Sequence, residues 1–370
     1  MPAAETAGVG RGVNLTSAFC LRNCRTRRSD KELHRSANLK SLHLTNMSAA
    51  LSVAASSRPS TPQPESCICT LFEGDYHFGV AAFVNSIVRS GFKGEIFAGY
   101  RGELPTWASA HKTASESAIL VDAGVTLTFL KVQTTWHLTN YKPIFMQQII
   151  AQRTAHPGVL FYFDPDITVR APWSFFVEWA QNGIAVCEDV NSPMPASHPR
   201  RLKWRKLFPD LEFDDRIAPC YVNGGFVGLA YEWRRFLDLW AEIISRAGEY
   251  TGGPDKWYAL KPHRPEQPFS AFDQDALNVA LMTSSMPFSI IGQDGMDFGP
   301  IGYLMSHAIG PRKPWHGGFA LNALKGVRPS IADRQYMHNI DGPLFALSLA
   351  QRALSRGDLA IGKLLGRLLA

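Results

Sequence analysis

Residues 161–170 read FYFDPDITVR, an aromatic run that passes straight into Asp164-Pro165-Asp166. With Val159 and Leu160 in front of it, the run has the unbroken hydrophobic character of a strand buried on both faces. The signature recurs along the chain. CICTLF (67–72), GEIFAGY (94–100), TLTFLKV (126–132) and GIAVCED (183–189) read as strands, and YVNGGFVGLAY (221–231) as a strand entered through a tight glycine turn. Between them, YHFGVAAFVNSIVRSG (76–91) predicts a helix ending at Gly91, PIFMQQIIAQRTA (143–155) a second, and EWRRFLDLWAEIISRAG (232–248) a long helix closed by Gly248. Buried strands alternating with amphipathic helices imply an α/β chain: a Rossmann-like, mainly parallel sheet with helices on both faces, in a single domain. Such sheets take ligands at the carboxyl ends of their strands, and the Asp-Pro-Asp stretch falls at one of those ends.

Carboxylates two positions apart on an extended chain project to the same side, and Pro165 between them gives up a backbone donor. Asp164 and Asp166 therefore converge on one point, where hard oxygen ligands suit Mg2+ or Mn2+. A different chemistry is spelled by Asp164, Asp166 and Thr168 together: Asp-x-Asp-x-Thr is the phosphoaspartyl signature of haloacid-dehalogenase-type phosphatases. Under that reading Asp164 is a nucleophile and Asp166 its acid/base partner, with Lys203 and Asp214-Asp215 available as the lysine and the magnesium-binding acids. Such enzymes place the nucleophile after the first core strand, whereas several strand–helix units precede Asp164.

Three later stretches favour the metal clamp. YVNGGFVGL (221–229) puts Asn223, Gly224 and Gly225 where backbone must come close to something, FDQDALN (272–278) opens a helix with Asp273, Gln274 and Asp275, and HAIGPRKPW (307–315) joins an imidazole, a glycine turn and a lysine. With FDPD, these stretches resemble, in the same order, the motifs of glycosyltransferase family 8, retaining enzymes of the GT-A fold that include lipopolysaccharide galactosyl- and glucosyltransferases and glycogenin. The resemblance spans residues 66–320, and His-x-x-Gly-x-x-Lys-Pro-Trp is its most specific part.

The resemblance implies a divalent cation, Mn2+ or Mg2+, ligated by Asp164, Asp166 and His307, a mixed oxygen and imidazole shell. It implies a nucleotide diphosphate sugar, UDP-linked, as donor and a glycan or lipid-linked glycan as acceptor. Lys313 and Gly310 would meet the diphosphate, and Asn223, Gly224 and Gly225 would lie near the donor sugar. Asp273 would hold sugar hydroxyls, Gln274 would face the anomeric carbon opposite the leaving group, and Lys142 would touch the donor. Thr70 and Tyr76, at the end of the first strand, are candidates for the nucleotide base. Each has a structural alternative: His307 an ordinary surface histidine, Lys142 a solvated helix-start lysine, Asn223-Gly224-Gly225 a simple turn, Trp315 core packing. His316, Gly317 and Gly318 receive no role, and the long basic segment 190–220 is expected to line the acceptor side. A non-catalytic nucleotide-sugar-binding protein on the same fold is the remaining reading.

Domain boundaries follow: a disordered basic tail at 1–65, the glycosyltransferase domain at 66–325, and a C-terminal helical extension at 326–370. Nine basic against four acidic side chains precede residue 66, so most of the formal net charge of +6 sits there and the remaining chain is near neutral. A near-neutral body argues against nucleic acid as a partner. The six cysteines lack zinc spacing, and the pattern points to a reducing, cytoplasmic compartment. No stretch has the length of apolar sequence that spans a membrane, and the N-terminus shows no apolar signal-peptide core. The final segment, PLFALSLAQRALSRGDLAIGKLLGRLLA (343–370), has helical spacing with Arg352, Arg356, Lys363 and Arg367 interspersed. It reads either as a terminal helix docked on the domain or as a basic amphipathic helix in peripheral contact with an anionic membrane.

Overall fold

Strand β1 (Ser66–Glu73) alternates between two cores: Cys67, Cys69 and Leu71 pack into one hydrophobic cluster, Ile68 and Phe72 into another. A strand so placed lies in the middle of a sheet with helices on both faces, the arrangement expected of the α/β class. The computed structural model describes residues 65–109, 118–256, 267–299 and 301–369, so the predicted N-terminal tail, apart from Glu65, lies outside the described residues. From β1 the chain runs through helix α1 (His77–Arg89), strand β2 (Gly94–Arg101), the short helix α2 (Thr106–Ser109), and strands β3 (Ala118–Asp122) and β4 (Val125–Lys131). Helix α3 (Lys142–Gln152) leads into β5 (Val159–Phe163) and the short β6 (Ile167–Val169), and α4 (Trp173–Ala180) into β7 (Ile184–Cys187). Helix α5 (Pro199–Leu207), β8 (Phe226–Ala230), α6 (Phe236–Thr251), α7 (Phe272–Thr283), β9 (Phe288–Ile291) and β10 (Met305–His307) follow. Helices α8 (Phe319–Leu324), α9 (Ile331–Asn339) and α10 (Leu349–Leu368) complete the described chain.

Among the described residues the main sheet has eight strands in the order β3-β4-β2-β1-β5-β8-β7-β9. β4, β2, β1 and β5 run parallel, as do β7 and β9, whereas β8 is antiparallel to both its neighbours and β3 is an antiparallel edge. A second, two-stranded sheet pairs β6 with β10 antiparallel, setting Ile167 opposite His307 and Thr168 opposite Ser306. This ribbon carries the end of FYFDPDITVR toward a segment some 140 residues later.

The strands and helices read from the sequence are present, one of them longer than read, and several short elements went unread. The long helix α6 continues past Gly248 to Thr251 and closes at Gly252, whose φ of 84° is the left-handed conformation of a helix C-cap. Gly248 is buried inside the helix, where a Cβ would come within 3.3 Å of Pro254. Strand β3 went unread because AILVD is an exposed edge, with Leu120 out in solvent. Helices α8 and α9 are too short for their periodicity to stand out, although Ser330 and Asp333 form a capping box at the start of α9.

The turn between Tyr221 and Gly225 is pinned from α7. Asn278 accepts from the Val222 amide at 2.9 Å and donates to the Val222 carbonyl at 2.9 Å, closing this backbone as a neighbouring strand would. Asp275, fully buried, accepts from the amides of Ser270 and Ala271 and from the Tyr221 hydroxyl at 2.7 Å. Replacing Asn278 with Ala strands both polar groups of Val222 in the core. Asn278→Ala should lower stability by at least about 2 kcal/mol, read as a shift in the urea midpoint; an unchanged midpoint would show that the turn holds itself.

Candidate active site

The carboxyl end of β5 opens into a cleft of about 600 Å3. Three backbone hydrogen bonds fix its floor: Asp164 amide to Gly225 carbonyl at 2.7 Å, Ile167 amide to Asp164 carbonyl at 3.1 Å, and Ala308 amide to Asp166 carbonyl at 3.1 Å. The last extends the β6–β10 ribbon by one rung and carries His307 to the two carboxylates. His307 Nε2 stands 3.2 Å from Asp166 and 4.0 Å from Asp164. One ligand atom from each of Asp164, Asp166 and His307 lies within 4.8 Å of the others, so the three can share a single ion.

Two buried lysines complete the electrostatics. Lys142 Nζ donates to Asp273 at 2.8 Å and to the Gly224 carbonyl at 2.9 Å, and pairs with Asp164 at 3.0 Å. Burial alone would lower its pKa, but Asp164 and Asp273 outweigh that and raise it above the ordinary lysine range. Lys142 is therefore a permanent buried cation, unlike the solvated helix-start lysine the sequence also allowed. Lys313 Nζ pairs with Asp166 at 2.5 Å and donates to the Ala308 carbonyl at 2.7 Å. Burial pushes Asp166 up, yet His307 and Lys313 more than offset it and hold the carboxyl well below the usual range. Three carboxylates against two ammonium groups leave a deficit of positive charge that a dication would fill.

Glycines permit this crowding. A Cβ on Gly225 would lie 2.5 Å from His307 Cε1 and 3.0 Å from Asp164 Oδ2, and one on Gly224 would lie 3.0 Å from Asp273 Oδ2. On α1, a Cβ at Gly79 would strike the Pro165 carbonyl at 2.3 Å. The Asn-Gly-Gly turn thus sits between the carboxylates and the α7 pair Asp273-Gln274. Gln274 accepts from the Gly224 amide at 3.0 Å, and Asn223 accepts from the Gly225 amide at 2.8 Å while donating to Asp189 at 2.7 Å.

Of the nominated residues, Tyr76, Lys142, Asp164, Asp166, Asn223, Gly224, Gly225, Asp273, Gln274, His307, Gly310 and Lys313 all line the cleft. Thr70 does not: it is fully buried within β1, and the wall there is made by Leu71, Phe72 and Glu73 nearer the strand's end. Tyr76 lies edge-on to Trp315, with ring centres 5.3 Å apart, and Lys313 stands 5.5 Å over its ring. Trp315 also packs toward Tyr336, and with His316 it donates to Asp75, at 3.0 and 2.7 Å. The basic segment 190–220 reaches the cleft with Asn191, but Arg200 and Arg201 turn inward. Arg201 is wholly buried against the Cys220 carbonyl and Met282, and burial lowers its pKa to about 10. Arg200 pairs with Asp275 at 3.5 Å. Sequence reasoning missed Asp189 and Tyr162, whose hydroxyl donates to Asp164 at 3.0 Å, and gave Asp275 and Asn278 no role of their own. Asp189 follows a strand end that was correctly read, so the carboxyl-end rule could have found it.

The phosphatase constellation is not assembled. Lys203 sits on α5, and Asp214 and Asp215 pair with Arg216 and Arg205; none of them lines the cleft. Thr168 is buried in β6.

No protein-family model matches the chain, and no curated protein matches it significantly. Solved structures similar to it include one described as the bifunctional glycosyltransferase WbbM in apo form, at 11% identity and TM-score 0.49. That match covers 80% of this chain and 52% of the other, so the chain spans about half of WbbM's length. The galactosyltransferase LgtC in complex with donor and acceptor sugar analogues is matched at 13% identity and TM-score 0.45, over 79% of this chain and 100% of that one. The glycosyltransferase GlyE of Streptococcus pneumoniae TIGR4 is matched at 14% identity and TM-score 0.43, over 80% and 64%. All three scores lie below 0.5, and the residues of the cleft carry the functional reading.

Gly225→Ala pushes a methyl group between His307 and Asp164 without removing a ligand. It should weaken Mn2+ binding at least tenfold, on the scale of outer-shell changes at metal sites, about 10–100-fold, while leaving the chain folded. Titration calorimetry with Mn2+ reads this, and wild-type affinity in the variant would show that these side chains do not share an ion.

Proposed function

We propose that the chain is a metal-dependent glycosyltransferase of the GT-A type, retaining the anomeric configuration of a hexose that it moves from a nucleoside diphosphate, UDP in the first instance, to a glycan or lipid-linked glycan. The observation that carries this reading is the convergence of Asp164, Asp166 and His307 on one point of a cleft that Lys313 and Lys142 also enter. The phosphatase reading lacks its partners at Asp164, because Lys203, Asp214 and Asp215 all lie outside the cleft.

The donor set fits the ion. Two carboxylates and an imidazole suit Mn2+ or Mg2+, and the buried His307 Nδ1 has no hydrogen-bond partner among the described residues, which leaves the ring to be oriented by what Nε2 binds. When bound, Mn2+ or Mg2+ supplies Lewis-acid stabilisation of charge on the departing nucleoside diphosphate. Lys313 adds a fixed positive charge beside the same oxygens, and Gly310, at a φ of 91°, lets the 308–313 loop turn there. Tyr76 offers a ring face at the cleft's edge for the base, a role in which Thr70, buried within its strand, takes no part.

Lys142 holds Asp273 in place to accept hydroxyls of the transferred sugar. It also keeps Asp273 from acting as a nucleophile, because the carboxylate is paired at 2.8 Å. Gln274 is a poor nucleophile, and its carbonyl oxygen is aimed by the Gly224 amide. This arrangement favours front-face departure of the leaving group through an oxocarbenium-like ion pair, with Gln274 stabilising the cationic carbon, over double displacement through a carboxylate.

Incubation with Mn2+ and a panel of nucleotide sugars should release nucleoside diphosphate from at least one donor, and chelation should abolish the release. Asp166→Ala should reduce it by at least about 100-fold, because the change removes a ligand and not merely an outer-shell partner. Phosphate release from phosphomonoesters with no nucleoside diphosphate from any donor would overturn the assignment. Metal-dependent donor binding without turnover would leave a binding protein.

A further inference from the structure

The end of β6 away from the cleft borders a separate, smaller pocket of about 240 Å3, closed by the last turn of α1 and by α9. Arg89 and Ser90 reach it from the end of α1, Arg170 from the residue after β6, and His338 and Asn339 from α9. Its volume falls below the roughly 300–1,000 Å3 of sites that enclose drug-sized ligands. A pocket of this size takes a small ion or molecule.

The basic side chains around it offer donors only. Arg89 is exposed, its Nη2 donates to the Asp341 carbonyl at 2.8 Å, and no carboxylate pairs with it among the described residues. The carboxylate of Asp341 is already taken by Arg352 and Arg356. Arg170 meets Asp297 at 2.9 Å and the Gly302 carbonyl at 2.8 Å through Nη1 alone, so its Nε and Nη2 have no protein partner among the described residues. Arg89 Nη1 lies 3.0 Å from His338 Nε2. A guanidinium can only donate, so Nε2 accepts and the imidazole proton sits on Nδ1, a further donor without a partner among the described residues. The acceptors are fewer. Ser90 gives its hydroxyl proton to the Ile87 carbonyl at 2.7 Å, which leaves its oxygen to accept. Asn339 is 2% exposed; its Nδ2 donates to the Gln335 carbonyl at 2.8 Å, and its buried Oδ1 has no donor among the described residues.

Donors that arrive from three separate elements surround a tetrahedral oxyanion better than a carboxylate, whose two oxygens a single guanidinium fork satisfies. A buried acceptor left unmet is costly, so Asn339 favours an anion that carries a proton of its own. We propose that this pocket binds a phosphoryl group bearing a proton or a neighbouring hydroxyl: hydrogen phosphate itself or a small hydroxylated phosphomonoester. The proposal does not rest on the reaction in the cleft, and its test does not depend on turnover.

Titration calorimetry of the full chain with inorganic phosphate and, separately, with glycerol 3-phosphate should show binding of at least one, and the tighter of the two tells whether the site takes the free ion or the ester. Arg89→Gln should weaken that binding at least about tenfold, the worth of one charge-assisted hydrogen bond. His338→Phe, which removes the Nδ1 donor, should weaken it as well. Both side chains are exposed, so both variants should keep a cooperative thermal transition. Sulfate, which has no proton to give Asn339, should bind at least about tenfold more weakly than phosphate. Binding equally strong in the wild type and both variants would overturn the proposal and send the phosphate to the cleft. Sulfate bound as tightly as phosphate would reduce the site to an unselective cationic patch, and no binding of either phosphate probe would leave the pocket to water.

Discussion

Pairing of β6 with β10 is the constraint on which the cleft depends. Its register sets His307 opposite Ile167 and continues through the Ala308 amide to the Asp166 carbonyl, so an imidazole reaches two carboxylates from far along the chain. A slip of one residue in that ribbon would turn His307 to the opposite face. The Lys313–Ala308 hydrogen bond locks the loop that follows, and Trp315 and His316 anchor it to Asp75, just before α1. The lysine, the imidazole and the carboxylates are thus parts of one hydrogen-bonded structure, not separate contributions.

The opposite wall obeys a second constraint, close approach. Gly224 and Gly225 leave no room for a side chain between the carboxylates and α7, and Asn278 and Asp275 hold their turn from beneath. The motif DQDALN therefore carries two kinds of residue. Asp273 and Gln274 face the cleft, while Asp275 and Asn278 face the core and keep the turn where the first two need it. Lys142 ties the walls together by meeting Asp164, Asp273 and the Gly224 carbonyl at once.

Much of this was legible in the sequence. The buried strands announce themselves because both faces are apolar, and the carboxyl-end rule places Asp164 and Asp166 at a site without knowledge of any partner. Short elements were not legible: β6 and β10 have three residues each, too few for a periodicity, although their pairing joins His307 to the carboxylates. Nor could composition show that Arg200 and Arg201 turn inward, since burial of an arginine is decided by Asp275 and the Cys220 carbonyl and not by its own neighbours in sequence. Thr70 was misplaced for a related reason: its strand was right, but only the last residues of β1 reach the cleft. The C-terminal helix was read as either docked or membrane-facing, and Gly362 and Gly366 pack it against Phe319 and Arg328, as the docked reading expects.

The central claim is that Asp164, Asp166 and His307 hold one divalent ion. Electron spin-echo spectroscopy of the Mn2+-loaded protein, prepared with 15N-labelled histidine, tests it without reference to any substrate. The account predicts coupling to a single directly coordinated imidazole nitrogen that disappears in His307→Gln. Mn2+ bound with no nitrogen coupling, or with coupling that survives the substitution, would contradict it.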